Sequence, residues 1–290
     1  MTTTVTLKAP AKINLTLEVL GKRPDGYHEV RMLMVGVSLE DELRFSEAKA
    51  LTLTCDREDL DCSGSNLILK AAIALQKATK TALGAKIHLK KRIPLGGGLA
   101  GGSTDAAATL IGLNQLWNTG LTLKRLSAIG ATLGSDIPFC IESGWAIATG
   151  RGEKLKKMVP PEPMHFVLAN PGFEVSTKWA YGGVILSDAP RRNLSLAAYD
   201  AASSGDVLAL DKAAQNDLEK VTAARYKEIG ILKKEMVEQG AFVTRMSGSG
   251  PTVWGWFKTA SAAKKAAANF KKRGILALAV HSISENKDKG

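Results

Sequence analysis

Apolar and polar side chains alternate with period two along Thr3–Ala9 and again along Ile13–Leu20, which predicts two strands at the start of the chain. The segments Tyr27–Leu39, Glu42–Ser46 and Leu51–Cys55 continue in β-favouring composition. The period then changes. Leu67, Ala71, Ala74, Leu75 and Ala78 recur at helical spacing, so Asn66–Lys80 reads as a helix capped by Ser65 or Asn66. Ala85–Ile93 alternates once more and sets Ile87, Leu89, Lys91 and Ile93 on one face. A glycine-rich turn follows. After it, Ser103–Trp117 has the composition of a buried helix, Leu123–Leu133 reads as a second helix and Trp145–Thr149 as a strand.

Lys154–Pro163 interrupts this order. It is basic and holds three of the ten prolines (Pro160, Pro161 and Pro163), which makes it the boundary between two halves. Beyond it the pattern predicts a strand over His165–Asn170, helices through about Gln239, and a strand running into the turn Ser247–Pro251. A strand over Thr252–Phe257, a helix over Ser261–Lys272 and a strand over Leu276–Ser282 complete it. That succession suits a ferredoxin-like split βαβ layer. There is no internal repeat, and Glu285–Gly290 reads as a frayed tail.

Composition narrows the class. A chain of 290 residues, 45% hydrophobic and 23% charged, is globular, and its length suggests about two domains. Three cysteines (Cys55, Cys62 and Cys140) argue against a disulfide scaffold and for a reducing compartment. The histidines His28, His88, His165 and His281 form no HxxxH pair, so a structural zinc site is not expected. No stretch approaches the ~20 apolar residues that span a bilayer, and the N-terminus lacks the order of a signal peptide. The expectation is a soluble intracellular protein.

The net charge of +11 favours an anionic partner, whether nucleic acid, nucleotide or phosphorylated metabolite. Its basic groups are Lys90-Lys91-Arg92, Lys154 with Lys156-Lys157, Arg191-Arg192 and Lys271-Lys272-Arg273. None is interleaved with aromatics as a strand-stacking platform requires, and each alone reads as solvated surface.

The stretch Leu95-Gly-Gly-Gly-Leu-Ala-Gly-Gly-Ser103 says more. Five glycines in seven residues, between a strand and a helix, are costly in backbone entropy. What they allow is close approach of several N–H groups to one ligand, with a helix N-terminus behind them: a phosphate site. Gly96, Gly98 and Gly101 satisfy G-x-G-x-x-G, but no Asp or Glu occurs from Ala106 to Ser135, so the ribose-binding acid of a dinucleotide fold is missing. The Gly-Lys-Ser/Thr of a P-loop and the H-R-D and D-F-G of protein kinases are also absent. A different nucleotide loop remains.

This loop resembles the second motif of the GHMP small-molecule kinase superfamily. Pro10-Ala-Lys-Ile-Asn-Leu15 resembles its first motif and Met246-Ser-Gly-Ser-Gly-Pro-Thr252 its third. The resemblance runs from Pro10 to about Phe257, with Ala100 as a departure where glycine is common. It implies an α+β, two-domain fold: a strand-rich N-terminal α/β domain with helices left over (residues 1–155), and a C-terminal ferredoxin-like split βαβ domain (residues 156–290). It also implies ATP-dependent phosphorylation of an alcohol. ATP would sit on Pro94, Leu95, Gly96, Gly97, Gly98, Leu99, Ala100, Gly101, Gly102, Ser103 and Thr104, with Ser103 or Thr104 reaching Mg²⁺ or a β-phosphate oxygen.

For the chemistry, the resemblance implies Asp136 as the base and Lys12 as the cation that orients the hydroxyl, where sequence alone offers a turn aspartate and a solvated edge lysine. Asn14 shares the strand face of Lys12. Pro10–Val30 resembles those members whose substrate is a cytidyl diphosphate-linked polyol. Tyr27 and His28 would then contact the cytidine, Tyr181 would close its other side, and Thr177 is a weaker candidate. No protein-held metal, nucleic acid or membrane is expected as a partner. Two alternatives stay open: another superfamily member, of homoserine or mevalonate type, or a basic nucleic-acid-binding protein. With nine residues before the first motif, the chain leaves no room for a transit peptide, and a bacterial-type cytoplasm is the expected location.

Overall fold

The computed structural model describes residues 3–186 and 193–284; the Arg191-Arg192 pair and the Glu285–Gly290 tail lie outside them. Two long strands, β1 (Thr4–Lys22) and β2 (His28–Ala48), pair antiparallel from Thr4↔Ser46 to Lys22↔His28. Each replaces two shorter strands expected from the sequence. Register shifts between Pro10 and Lys12, Asn14 and Thr16, and Val19 and Gly21 bend β1 where the alternation lapses, so the strand bulges instead of ending. Pro10 is tolerated because it sits at such a bulge.

The other edge of β2 is divided. Met32–Val35 pair with β5 (Trp145–Thr149), whereas Glu42–Ala48 pair with β4 (Gly84–Lys90). β3 (Thr52–Cys55) lies parallel to β4, and the crossover between them contains α1 (Leu67–Thr79), which Asn66 caps through its side chain to Ile68 N. Next come α2 (Gly101–Leu116), α3 (Leu123–Ala131) and α4 (Ile137–Glu142). Residues 154–158, expected to begin the link, instead form β6 (Lys154–Met158), the edge strand beside β5. Its lysines are the kind of charge that protects an exposed sheet edge.

The second sheet follows the ferredoxin-like order. β7 (His165–Asn170), β8 (Val243–Met246), β9 (Val253–Phe257) and β10 (Leu276–His281) lie as β10-β7-β9-β8, all antiparallel. Between β7 and β8 run α5 (Thr177–Gly182), α6 (Leu194–Ser204), α7 (Val207–Ala213), α8 (Asp217–Arg225) and α9 (Glu228–Glu238); α10 (Ala260–Lys272) precedes β10. The halves share apolar packing: Ile13, Leu15, Leu33 and Val35 of the first sheet cluster with Phe166, Leu168 and Trp254 of the second. Among the described residues, no helix is long and apolar enough to cross a membrane.

α2 is buried almost all round, from Thr104 through Leu113, and a helix without a polar stripe belongs in a core. Gly112 is part of that fit. A β-carbon there would lie 2.4 Å from the ring of Phe45, itself fully buried. Alanine is the better helix former by about 1 kcal/mol, but the overpacking term, about 1–3 kcal/mol, opposes it and wins. Gly112→Ala is therefore expected to lower stability in urea-induced unfolding; a gain in stability would show that Phe45 can move aside.

Candidate active site

A cleft of about 1100 Å³ lies where β1, the glycine loop and the second sheet meet. The loop leaves β4 and enters α2. Pro94–Gly98 and Ala100–Ser103 line the cleft. Leu99 and Thr104, both expected there, do not. Leu99 is buried in the core and gives its carbonyl to Lys12 N at 3.2 Å, while Thr104 Oγ1 donates to Pro10 O at 2.8 Å. Their side chains hold the loop from behind. Gly98 is at φ +73°, and a β-carbon there would stand 2.2 Å from Ser247 O, so both conformation and space require glycine. Ala100, at φ 59°, opens α2 without a side-chain cap. The first N–H groups of α2 thus face the cleft without a capping oxygen, as an anion site requires.

Lys12 is not a solvated edge residue; it is buried. Its Nζ donates to Asn14 Oδ1 at 2.7 Å and Gly98 O at 3.4 Å, and stands 3.5 Å from Asp136 Oδ2. Asn14 does share its face. Asp136 occupies the N-cap position of α4, the bland role open to it in sequence, yet its side chain makes no capping bond. The carboxylate is partly exposed and lines the cleft instead.

Ser247 ties these parts together. Its Oγ donates to Gly98 O at 2.9 Å and accepts from Asn14 N at 3.2 Å. The turn that carries it is held by Asn216, whose Nδ2 donates to Met246 O (2.9 Å) and Gly248 O (2.8 Å). Sequence reasoning missed Asn216. The visible signal was an N-cap asparagine before an acidic first turn, which says nothing of a bond thirty residues away. Thr177 Oγ1 meets Ser249 Oγ at 3.1 Å, so both belong to the cleft wall.

At the far end, the rings are not arranged as the sequence suggested. His28, not Tyr27, faces Tyr181, with centroids 5.2 Å apart and an interplanar angle of 24°. The turn at Asp25, where Oδ1 accepts from Tyr27 N at 3.1 Å, leaves Tyr27 exposed on the cleft wall, and the Arg151 guanidinium lies 4.9 Å over its ring. Burial, with the Asp136 charge adding to it, pushes the Tyr181 phenol up. Arg151, Lys22 and Lys178 also line the cleft and were not anticipated. A guanidinium between Gly150 and Gly152 was the only hint of the first.

No group of three or more His, Cys, Asp or Glu able to hold a metal exists among the described residues. Ser103 and Asp136 are among the hard oxygen donors that line the cleft, and they suit a magnesium ion carried in by phosphates rather than one caged by protein alone. The arrangement joins an anion cradle, a buried cation and a carboxylate in one cleft. That set can move a phosphoryl group to an alcohol.

The chain matches the models "GHMP kinases N terminal domain" over residues 66–144 and "GHMP kinases C terminal" over residues 198–276. A 4-diphosphocytidyl-2-C-methyl-D-erythritol kinase of Caldanaerobacter subterraneus subsp. tengcongensis is 41% identical over 284 residues, 98% of this chain and 97% of that protein. One from Exiguobacterium sibiricum is 46% identical, covering 87% of this chain and 88% of its own. A crystal structure of 4-(cytidine 5'-diphospho)-2C-methyl-D-erythritol kinase superposes with a TM-score of 0.82 at 32% identity, over 96% of this chain and 99% of that one. Homoserine kinase from Cytophaga hutchinsonii shares the fold, with a TM-score of 0.74 at 19% identity, over 98% and 96%.

The role of Asn216 gives a structural test. Asn216→Ala leaves two buried carbonyls without donors, which costs about 1–3 kcal/mol apiece at most, and removes the α8 cap as well. A midpoint in denaturant indistinguishable from the parent's would show that the Ser247 turn is held by other means.

Proposed function

The chain belongs to the GHMP kinase family, and on that premise we propose that its cleft moves the γ-phosphoryl group of ATP to the 2-hydroxyl of 4-diphosphocytidyl-2-C-methyl-D-erythritol. One observation carries the reading of the site: Lys12 Nζ stands 3.5 Å from Asp136 Oδ2 and 3.4 Å from Gly98 O, so one cation joins the carboxylate to the phosphate loop. The identity of 41–46% to kinases of that substrate, over most of each chain, supports the choice of alcohol.

Each residue has a part. The loop N–H groups and the start of α2 hold the phosphates, and ATP supplies the group transferred. Asp136 accepts the hydroxyl proton as the new O–P bond forms and the β,γ-bridging bond breaks. Lys12, fixed by Asn14, orients that hydroxyl and offsets the charge that develops on it. Ser103 and Asp136 are the residues placed to hold Mg²⁺, which would neutralise phosphate charge. Arg151, Lys22 and Lys178 add positive potential for the substrate diphosphate. Tyr27, His28 and Tyr181 receive the cytosine, with base stacking as the main attraction. We place the reaction in the cytoplasm, a compartment that suits three free cysteines.

The reading is tested by offering the cytidyl polyol, homoserine and mevalonate with ATP in a coupled assay. Turnover of the first alone is expected, and preference for either other alcohol overturns it. Asp136→Asn and Lys12→Ala should each lower kcat by on the order of 10²-fold or more while ATP still binds. Their double mutant should be little worse than either, because the two act as a unit. Near-normal turnover in Asp136→Asn would remove it from the proton transfer. Tyr27→Ala should raise the KM for the cytidyl substrate by roughly 5- to 150-fold and spare that for ATP. The reverse pattern in steady-state kinetics would place Tyr27 on the ATP side.

A further inference from the structure

Lys12 and Asn14 stand on a short piece of β1 whose pairing with β2 shifts on both sides of it, between Pro10 and Lys12 and between Asn14 and Thr16. At the second shift Asn14 faces Met34 and Thr16 faces Leu33, so Leu15 is left without a partner. That is a bulge. In an unbroken strand, side chains two apart share a face. Here the shifts break that rule twice. Leu7 and Ala9 pack into one core cluster, Ala11, Ile13 and Leu15 into the other, and Leu17 and Val19 return to the first. The even-numbered positions switch in the opposite sense. Lys12 and Asn14 line the cleft, Thr16 and Glu18 do not, and Leu17 is the next residue of β1 that does. The bulge thus decides which side chains of β1 reach the substrates.

The first shift is held from the glycine loop, by the bonds of Lys12 N to Leu99 O and of Thr104 Oγ1 to Pro10 O. The second is held by a side chain. Leu33 N donates to Thr16 Oγ1 at 2.9 Å, at the step where the register changes. Ser195 Oγ, on α6, lies 2.8 Å from Thr16 Oγ1 and donates to Glu18 Oε2 at 3.5 Å. Thr16 is therefore the donor between the two hydroxyls. Glu18 stands opposite Arg31 on β2, whose Nε and Nη2 donate to Oε2 and Oε1, both at 2.9 Å. Thr16, Glu18 and Ser195 are all buried. Such a chain of polar groups is costly unless every member finds a partner, and a fully bonded one fixes a single arrangement. Packing alone would be served as well by valine at position 16, which has the shape of threonine without the hydroxyl.

We propose that Thr16 is a positioning residue: its hydroxyl fixes the bulge at Leu15 and thereby aims Lys12 and Asn14 at the reacting alcohol, a role that rests on Lys12 orienting that alcohol. Neither Thr16 nor Ser195 lines the cleft, so both act from behind the strand. A slip of one residue at the bulge would turn Ile13 to the cleft and send Lys12 and Asn14 into the apolar cluster. What the hydroxyl prevents is smaller play. A loosened bulge lets Asn14 Oδ1 drift from Lys12 Nζ, now 2.7 Å away, and carries the ammonium off its line to the alcohol. Misplacement by about 1 Å costs on the order of 10²-fold in rate. The phosphate loop and the rings of Tyr27, His28 and Tyr181 belong to other segments, so substrate binding is spared.

The test is steady-state kinetics of the full chain with ATP and the cytidyl polyol, with kcat referred to the folded fraction measured by circular dichroism. Thr16→Val keeps the shape and removes the hydroxyl. It should lower kcat by on the order of 10- to 100-fold and leave both KM values within about twofold of the parent's. Thr16→Ser keeps the hydroxyl and should restore kcat to near the parent value. In a Lys12→Ala background, Thr16→Val should add little, because it acts through that lysine. A merely structural threonine would lower Tm and leave kcat per folded enzyme unchanged, and that result overturns the proposal.

Two further results would overturn it: a Thr16→Ser variant as slow as Thr16→Val, or a Thr16→Val loss that multiplies in full with that of Lys12→Ala. Should Thr16→Val not fold, Ser195→Ala decides, since it takes away only the acceptor of the Thr16 hydroxyl. A fall in kcat at constant KM then supports the role, and an unchanged kcat refutes it. Failure of the functional reading looks different. There Lys12→Ala itself turns over normally, which removes both readings, whereas Thr16→Val at the parent's speed beside a slow Lys12→Ala removes this one alone.

Discussion

The carbonyl oxygen of Gly98 is the point on which the cleft depends. Ser247 Oγ donates to it from the third motif, and Lys12 Nζ reaches it from β1. Three segments far apart in sequence thus converge on one acceptor. The contact is possible only because two glycines meet there: a β-carbon on Gly98 would strike Ser247 O, and one on Gly248 would lie 3.1 Å from Gly98 O. Remove this convergence and the loop loses its register against Lys12 and Asp136. The chemistry depends on backbone closeness before it depends on any charged side chain.

Much of the fold was legible because its signals are local. β5 and β7 fall where alternation and β-branched composition put them, α1 is capped by Asn66, and the order of the last four strands is the split βαβ order. What the sequence hid was continuity. β1 runs through Pro10 and Gly21 because bulges absorb the irregular residues, and a local pattern cannot separate a bulge from a break. β6 was hidden for a different reason: an edge strand needs little apolar alternation, so Lys154–Met158 read as a basic linker.

The site was legible in its residues more than in its geometry. Lys12, Asn14 and Asp136 come together, but their closeness follows from the packing of α4 against β1, which no spacing records. Leu99 and Thr104 belong to the motif and still turn into the core, because a tight loop must alternate ligand-facing backbone with anchoring side chains. The pairing of His28 with Tyr181 was hidden in the turn at Asp25. Lys91 shows the same limit in electrostatics. Between Lys90 and Arg92 it reads as surface charge, and only the tertiary fold brings Asp41 and Asp105 to it.

Seven of the described helices begin with a side-chain cap, among them α1, α3, α5, α6, α7, α8 and α10. α2, α4 and α9 do not, and the first two of these start at the cleft. A missing cap costs about 1 kcal/mol of helix stability. Two of the three uncapped ends open on the cleft. The molecule is thus less stable at these ends than its own capping habits elsewhere would make it. Efforts to raise its thermostability by adding caps have one position away from the cleft, at α9, whereas at α2 and α4 activity has most to lose.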